Sequence, residues 1–384
     1  MIADAFDPAR GFGVYLHWPY CARICPYCDF NVYAAKARDT APLIEAMLAD
    51  LDSWRARSGP RTVDAVFFGG GSPSLMAGAD IARLIERIDR AWGIRPGAEI
   101  TLEANPDDAA RFGDFAAAGV DRLSLGVQSL HDTALKFLGR THSAAEAIAA
   151  LQVAQGRFRS VSLDLIYALP GQDLAHWRGE LEKALELGAD HLSLYELTIE
   201  PGAAFAKAVD RADWAPLGDD AAADLYEATQ AACDAAGYPA YEISNHARGQ
   251  AHRSRHNAIY WRSGDWVGVG PGAHGRLTAD GHRLAIEAAE KPGAYLKAVR
   301  ETGAGWSLVE TLSPLDQARE RLSMGLRLVA GIELADVTTL GFELSATTLD
   351  ELAALGLLKR HARGVALTPR GRLAADRIVQ MIAP

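Results

Sequence analysis

Cysteine is scarce in this 384-residue chain, four residues in all. That excludes a disulfide framework as the source of stability, and a chain of this length can bury a sufficient core without one. No stretch approaches the roughly 20 consecutive apolar residues that span a bilayer. The N-terminal MIADAFDPARGFG carries acidic residues where a secretory leader has a basic region and then an apolar one. These absences predict a cytoplasmic protein with no transmembrane segment. Excess positive charge is also missing: 39 Lys and Arg stand against 49 Asp and Glu, a net charge of −10. Such a balance lacks the positive field through which proteins gather nucleic acid or anionic lipid, so no nucleic-acid partner is expected. No repeat of constant period and no low-complexity tract occurs. What is present, 49% hydrophobic and 23% charged residues, is a globular composition, and the length allows about two domains at roughly 150 residues each.

From residue 13 to about 200, short apolar runs alternate with longer amphipathic segments. The pattern predicts strands at 13–18, 63–69, 99–104, 122–128, 161–167 and 191–199. Helices are predicted between them, among them TAPLIEAMLADLDSWRAR, ADIARLIERIDRAW and DLAHWRGELEKALELG. Six successive β/α units favour a full or partial barrel, an α/β fold, over an open sheet. Gly69 to Gly71, Glu103, Gln128 and Asp164 fall at or near strand C-termini, the rim on which barrel proteins build their sites. Residues 200–300 are richer in Gly, Trp and His, with five of the eleven histidines (246, 252, 256, 274 and 282) there. Beyond about 310, helical segments lead into LLKRHARGVALTPRG, two short strands around Gly364, and a final helix, which reads as a small winged-helix-like unit. The predicted division is a core at 1–210, an α/β extension at 211–305 and a C-terminal module at 306–384.

The chemistry concentrates in YLHWPYCARICPYCDF, where Cys21, Cys25 and Cys28 follow the first strand with spacing Cys-x3-Cys-x2-Cys. Three thiolates at these intervals can hold three irons of a [4Fe-4S] cube and leave the fourth open to another ligand. Structural zinc is the competing reading. It requires four ligands with a second Cys arm that is absent here, although His17 is within reach of the loop in sequence. Cys233 stands alone in a helical stretch and is expected to be a small buried hydrophobe.

This cysteine loop resembles the signature of the radical S-adenosylmethionine (SAM) superfamily over residues 13–200. The resemblance implies a partial (β/α)6 barrel whose open iron is chelated by the methionine part of SAM. Within the superfamily the chain is similar to the coproporphyrinogen III oxidase-like group, through HWPYC-x3-CPYCDF, GGGSPS, EANP, LGVQS, GRTH, DLIYALPGQ and YEISNHA. Carried over position by position, the group's SAM contacts fall on Tyr15, Tyr27, Gly70, Gly71, Ser72, Glu103, Gln128, Arg140 and Asp164. SAM's ammonium, carboxylate, ribose diol and sulfonium call for acceptors, an Arg, hydrogen-bonding Asp or Gln, and an aromatic wall. Glu103 and Asp164 are therefore expected against the ammonium or ribose, and Arg140 near the carboxylate.

Two departures separate the chain from the oxidases of that group. Phe30 stands where they carry a further Cys, and only 20 residues precede Cys21 where they carry a longer N-terminal segment. Both features resemble the sister branch of heme chaperones, as does His256-Asn257-Ala258-Ile259-Tyr260-Trp261, which matches that branch's HNxxYW element. The resemblance implies heme as cargo, His256 as its contact and apo-hemoproteins as recipients. An imidazole is a good axial ligand for heme iron. Lying more than 220 residues beyond the last cluster Cys, the element is expected to form a site separable from the cluster and SAM. His246, His252 and Cys233 are rival ligands. The alternative function is that of an oxygen-independent coproporphyrinogen III dehydrogenase, so enzyme and chaperone both stand at this point, and so do monomer and homodimer. Lys359, Arg360, Arg363, Arg370 and Arg372 cluster near the C-terminal hairpin, which reads as a packing or partner module.

Overall fold

The computed structural model describes residues 7–35 and 39–383. Met1 to Phe6, on which the leader argument partly rests, lie outside them. Six parallel strands run in chain order: β1 (Phe12–Trp18), β2 (Val63–Gly70), β3 (Ile94–Ala104), β4 (Arg122–Gln128), β5 (Ser160–Tyr167) and β6 (His191–Glu196). Each pairs in parallel with the next. They agree with the predicted strands to within about two residues at most ends; β3 begins five residues earlier and β6 ends three sooner.

The sheet does not close. Beyond β6 lies the short β7 (Asn245–Ala247), antiparallel. On the other side β1 pairs in parallel with β8 (Asp265–Val269). From there β9 (His274–Ala279), β10 (His282–Ala288) and β11 (Trp306–Thr311) continue as an antiparallel meander. The segment read as a separate extension is thus an outgrowth of the same 11-stranded sheet.

Residue order dictates the two faces. In RLSLGVQ, VSLDLIY and HLSLYE, leucine and valine alternate with polar residues. Leu123, Leu125, Val161, Leu163, Leu192 and Leu194 face out beneath the helices and join one continuous core. The alternate positions face the lumen. Because parallel register places paired residues on one side, Tyr15, Phe67, Thr101, Arg122 and Ser160 form one row across five strands. Glu103, Ser124, Ser162 and His191 form the next row toward the mouth, and Asp164 and Ser193 lie above them. Strands of a parallel sheet covered on both faces usually read as unbroken apolar runs. Alternation here marks an interior built to be polar.

Residues 314–382 build a second core from Leu322, Leu326, Leu349, Leu352, Val365 and Ile378. It includes the predicted hairpin, Leu358–Arg360 with Gly364–Leu367, and a closing helix, Ala375–Ile382. Of its basic residues, Arg360 pairs with Asp350, Arg363 with Glu333, and Arg372 donates to Gln230. Among the described residues no helix is long and apolar enough to cross a membrane.

One buried carboxylate ties the meander to the barrel's first helix, Ala41–Ser58. Asp50, 0% exposed, accepts from the Tyr295 hydroxyl at 2.8 Å and from the Gly305 N–H at 2.9 Å. The Tyr295 oxygen in turn accepts from the Gly270 N–H. Asp50→Ala strands two buried donors, each costing about 1–3 kcal/mol when unpaired. The expected loss is about 2–4 kcal/mol of unfolding free energy by urea titration. A loss under about 1 kcal/mol would show that other groups replace the carboxylate.

Candidate cofactor site at the barrel mouth

The three cysteines sit in the loop that leaves β1. Cys21 is 7% exposed, and Cys25 and Cys28 are half-buried. Backbone bonds close the loop: Cys28 N–H donates to Cys25 O, Tyr33 N–H to Pro19 O and Ala35 N–H to Cys21 O. Burial pushes the Cys21 and Cys28 thiols up, the latter to about 11, and neighbouring cysteines push further in the same direction. Cys21 and Cys28 therefore each lie close enough to the loop's other sulfurs to feel their charge. They would be held as thiolates by a cationic or metallic group between them. Among the described residues no three His, Cys, Asp or Glu side chains form a ready site for a single metal ion. Three thiols in one loop, with the Arg140 guanidinium against Cys25 and near Cys21, fit a polynuclear iron-sulfur group. Cys233 lies elsewhere, fully buried in the helix Asp219–Ala235.

The glycine segment after β2 serves chiefly to seat this loop. Gly71 N–H donates to Trp18 O at 2.7 Å and Ser72 N–H to Tyr20 O at 2.9 Å. A Cβ on Gly71 would lie 2.7 Å from Tyr20 O, and one on Gly70, where φ is +104°, would lie 2.6 Å from the His17 ring. No side chain is tolerated at such distances. The Gly70 N–H donates to Glu103 at 3.1 Å. Both glycine amides are thus engaged within the protein.

Glu103 lies at the base of the recess. Burial pushes its carboxyl up to about 8, the nearby Asp164 adds to this, and the Gly70 N–H opposes it. Asp164 is also raised by burial, while Ser162 and Ser124 donate to it at 2.6 and 2.7 Å. Ser162 continues to His191 at 2.8 Å, and His191 to the Tyr241 hydroxyl at 2.8 Å. Asp164 is therefore held by a buried polar chain and does not swing freely.

Arg140 is less available than the sequence suggested. Its guanidinium donates to Gly126 O at 2.9 Å, to Asn105 and, at 3.5 Å, to the Cys25 sulfur. It braces the cysteine loop, with Tyr27 beside it, so a ligand carboxylate would share a donor already committed. Gln128 has φ +70° at a bulge in β4 and folds its amide over Gly126. A non-glycine residue in the left-handed region is a stored strain that points to function. Asn105, which receives Arg140 and donates to Ser72 at 3.3 Å, was missed as a site residue although EANP carried the signal. Tyr195 was missed too: 44% exposed, it lies on the same face of β6 as His191 and Ser193 and so faces the lumen.

His256 lies far from the place expected of it. The helix Arg255–Trp261 enters the lumen, its first amides bonded to Glu99 and its Asn257 N–H capped by Ser254. The His256 ring is 3% exposed and stacks on Phe67 at 4.4 Å. Tyr260 lies 4.3 Å away and Tyr15 5.9 Å. Burial pushes the imidazole down to about 3, and Arg122 adds to it. The expectation of a separate site beyond the barrel is corrected: periodicity alone could not show that this helix folds back as a plug.

Residues 15–184 match the Radical SAM superfamily and residues 312–374 the HemN C-terminal domain. The solved structure of coproporphyrinogen III oxidase (HemN) from Escherichia coli, a radical SAM enzyme, superposes with a TM-score of 0.80 over 99% of this chain and 92% of that one. Its 22% identity makes this a likeness of fold. The chain is a radical SAM protein with the HemN architecture. The heme chaperone HemW of Escherichia coli is 37% identical over 96% of this chain and 97% of its own length. The bovine radical S-adenosyl methionine domain-containing protein 1, mitochondrial, is 41% identical over 85% and 76%. The chain belongs to the HemW family.

The raised Glu103 carboxyl has a sign. Its folded value near 8 exceeds the ordinary 4.5, so the native state binds the extra proton between them. Its contribution to stability is full below about pH 4.5 and is lost as pH rises through 8. Between pH 5 and 8 the parent should lose about 3–4 kcal/mol more than Glu103→Gln, read from the shift in urea midpoints. Equal slopes would place Glu103 in an ordinary carboxylate environment.

Proposed function

We propose that this chain is a heme chaperone of the radical SAM type, holding a [4Fe-4S] cluster on Cys21, Cys25 and Cys28 with SAM across the rim. The observation that carries the reading is the 37% identity, over nearly the full length of both chains, with a protein named heme chaperone HemW, read with Phe30. That side chain is 61% exposed, two residues after the third cysteine. An exposed ring there supplies no fourth thiolate. When bound, the cluster would supply an electron and an open coordination position.

The chain's own residues provide the rest. Cys21, Cys25 and Cys28 are the cluster ligands, with Arg140 placing positive charge beside Cys25. Glu103 and Asp164 are hydrogen-bond acceptors for the ammonium and ribose of SAM. Gly70, Gly71 and Ser72 shape the edge of the recess, Gln128 supplies an amide, and Tyr15 and Tyr27 supply aromatic surface. His256 is the proposed heme ligand and reaches a porphyrin only after its helix leaves the lumen. Recipient apo-hemoproteins are the proposed partners and the cytoplasm the proposed location, with 306–384 as a separate module after its opening strand β11, and 1–210 and 211–305 as two parts of one sheet-bearing unit. The mitochondrial name of the bovine relative stays with that protein.

Coproporphyrinogen III oxidation is the second reading, favoured by the HemN fold. Anaerobic reconstitution decides between them. The reconstituted chain should carry iron and sulfide near four of each, as a cube requires, take up heme with a Soret shift, and pass it to an apo-hemoprotein. Cys25→Ala should lose the cluster. Conversion of coproporphyrinogen III by the parent would establish the enzyme instead, and full cluster retention in Cys25→Ala would remove the ligand assignment.

A further inference from the structure

A continuous path of side chains joins the plug helix to the cysteine loop. The His256 ring rests on Phe67 and approaches Tyr15. Phe67 and Tyr15 are register partners on neighbouring strands, tilted against each other at 6.3 Å. The Tyr15 hydroxyl lies 2.9 Å from His17 Nδ1, and His17 Nε2 lies 2.9 Å from Asn31 O. A carbonyl only accepts, so Nε2 carries the proton and Nδ1 accepts from Tyr15. His17 is 5% exposed and kept neutral by burial, and the absent Cβ of Gly70 leaves room for its ring. Asn31 ends the cysteine loop three residues after Cys28, and its side-chain amide donates to Pro271 O at 3.0 Å and Glu290 O at 2.8 Å. The loop is therefore fastened at one end by the glycine segment and at the other by His17 and Asn31.

We propose that Tyr15 and His17 are positioning residues that transmit the seating of the His256 helix to the cysteine loop, so that the HNxxYW element and the cysteine motif act as one unit. The argument is steric and directional. If His256 withdraws, Phe67 and Tyr15 lose the ring they pack against, and the Tyr15 hydroxyl loses its fixed aim at His17. His17 then holds Asn31 O less firmly. On the cluster reading above, release of the helix loosens the cluster's own loop. The contact itself depends only on the apoprotein.

Hydrogen exchange in the cluster-free, full-length chain tests this directly, with the Tyr33 and Ala35 amides as reporters because they close the loop. Tyr15→Phe keeps the ring and removes one hydrogen bond, and should speed exchange of these amides by about fivefold, the worth of one net hydrogen bond. His256→Ala should do at least as much. His256→Phe, which keeps a flat ring against Phe67 and Tyr15, should restore the parental rate, and amides of the helix Ala346–Ala354 should be unchanged throughout. Unaltered exchange at 19–35 in both Tyr15→Phe and His256→Ala overturns the proposal, as does an equal rise in His256→Phe and His256→Ala. Failure of the cluster reading would show separately, as absence of iron and sulfide in the reconstituted parent.

Discussion

The peptide groups of Gly71 and Ser72 lie against those of Trp18 and Tyr20 at hydrogen-bond distance, and the mouth of the barrel depends on that contact. The cysteine loop leaves Ile24 and Phe30 largely exposed, so burial alone does not hold it. Backbone pairing with a neighbouring strand end fixes it, provided the residue at the closest approach, Gly71, carries no side chain. The glycines answer this constraint first. Their relation to a ligand comes second, because the surface they offer is whatever the docking leaves uncovered.

The same economy governs the interior. Arg122, 2% exposed, has Glu99 as its ion partner through Nε at 3.9 Å, beyond hydrogen-bond distance, and among the described residues Arg122 Nε, Thr101 Oγ1 and His256 Nδ1 have no hydrogen-bond partner. Such atoms in a barrel centre call for ordered water, since a polar group buried without any partner is costly. An interior of this kind is stabilised less than an apolar one and stays adaptable. The plug helix suits it, held by amide contacts to Glu99 and by ring stacking more than by interlocked aliphatics. Arg327 lies over Trp261 at 5.3 Å, so the C-terminal module touches the same helix from outside.

Much of this was legible beforehand, for identifiable reasons. The six parallel strands follow from short apolar runs between amphipathic segments. Cys21, Cys25, Cys28, Glu103 and Asp164 come together because each lies just past or near a strand end, and strand ends of a parallel sheet share one edge. The C-terminal hairpin was visible from Gly364 and its flanking runs. What could not be read is contact between segments distant in sequence. Arg140 carries charge suited to a ligand carboxylate, yet Asn105 and Cys25 claim it first. His256 lies amid Gly-rich and Trp-rich sequence typical of surface loops, and only the fold shows that Phe67 covers its ring. Asn105 and Tyr195 were overlooked because an amide and a phenol at a strand end look like ordinary caps.

The outgrowth of β8 to β11 from the edge of β1 also decides how the chain can be divided. A boundary near residue 210 reads naturally from the sequence, but β8 is the hydrogen-bond neighbour of β1 from Phe12 to Leu16. Severing the chain there would leave the first strand of the barrel with a bare row of amides and carbonyls beside Phe12, Val14 and Leu16. A flat apolar edge of that kind seeks any extended peptide, including its own copies. The SAM-type core and the meander are in this sense one folding unit, and evolution of one half is constrained by the strand it presents to the other.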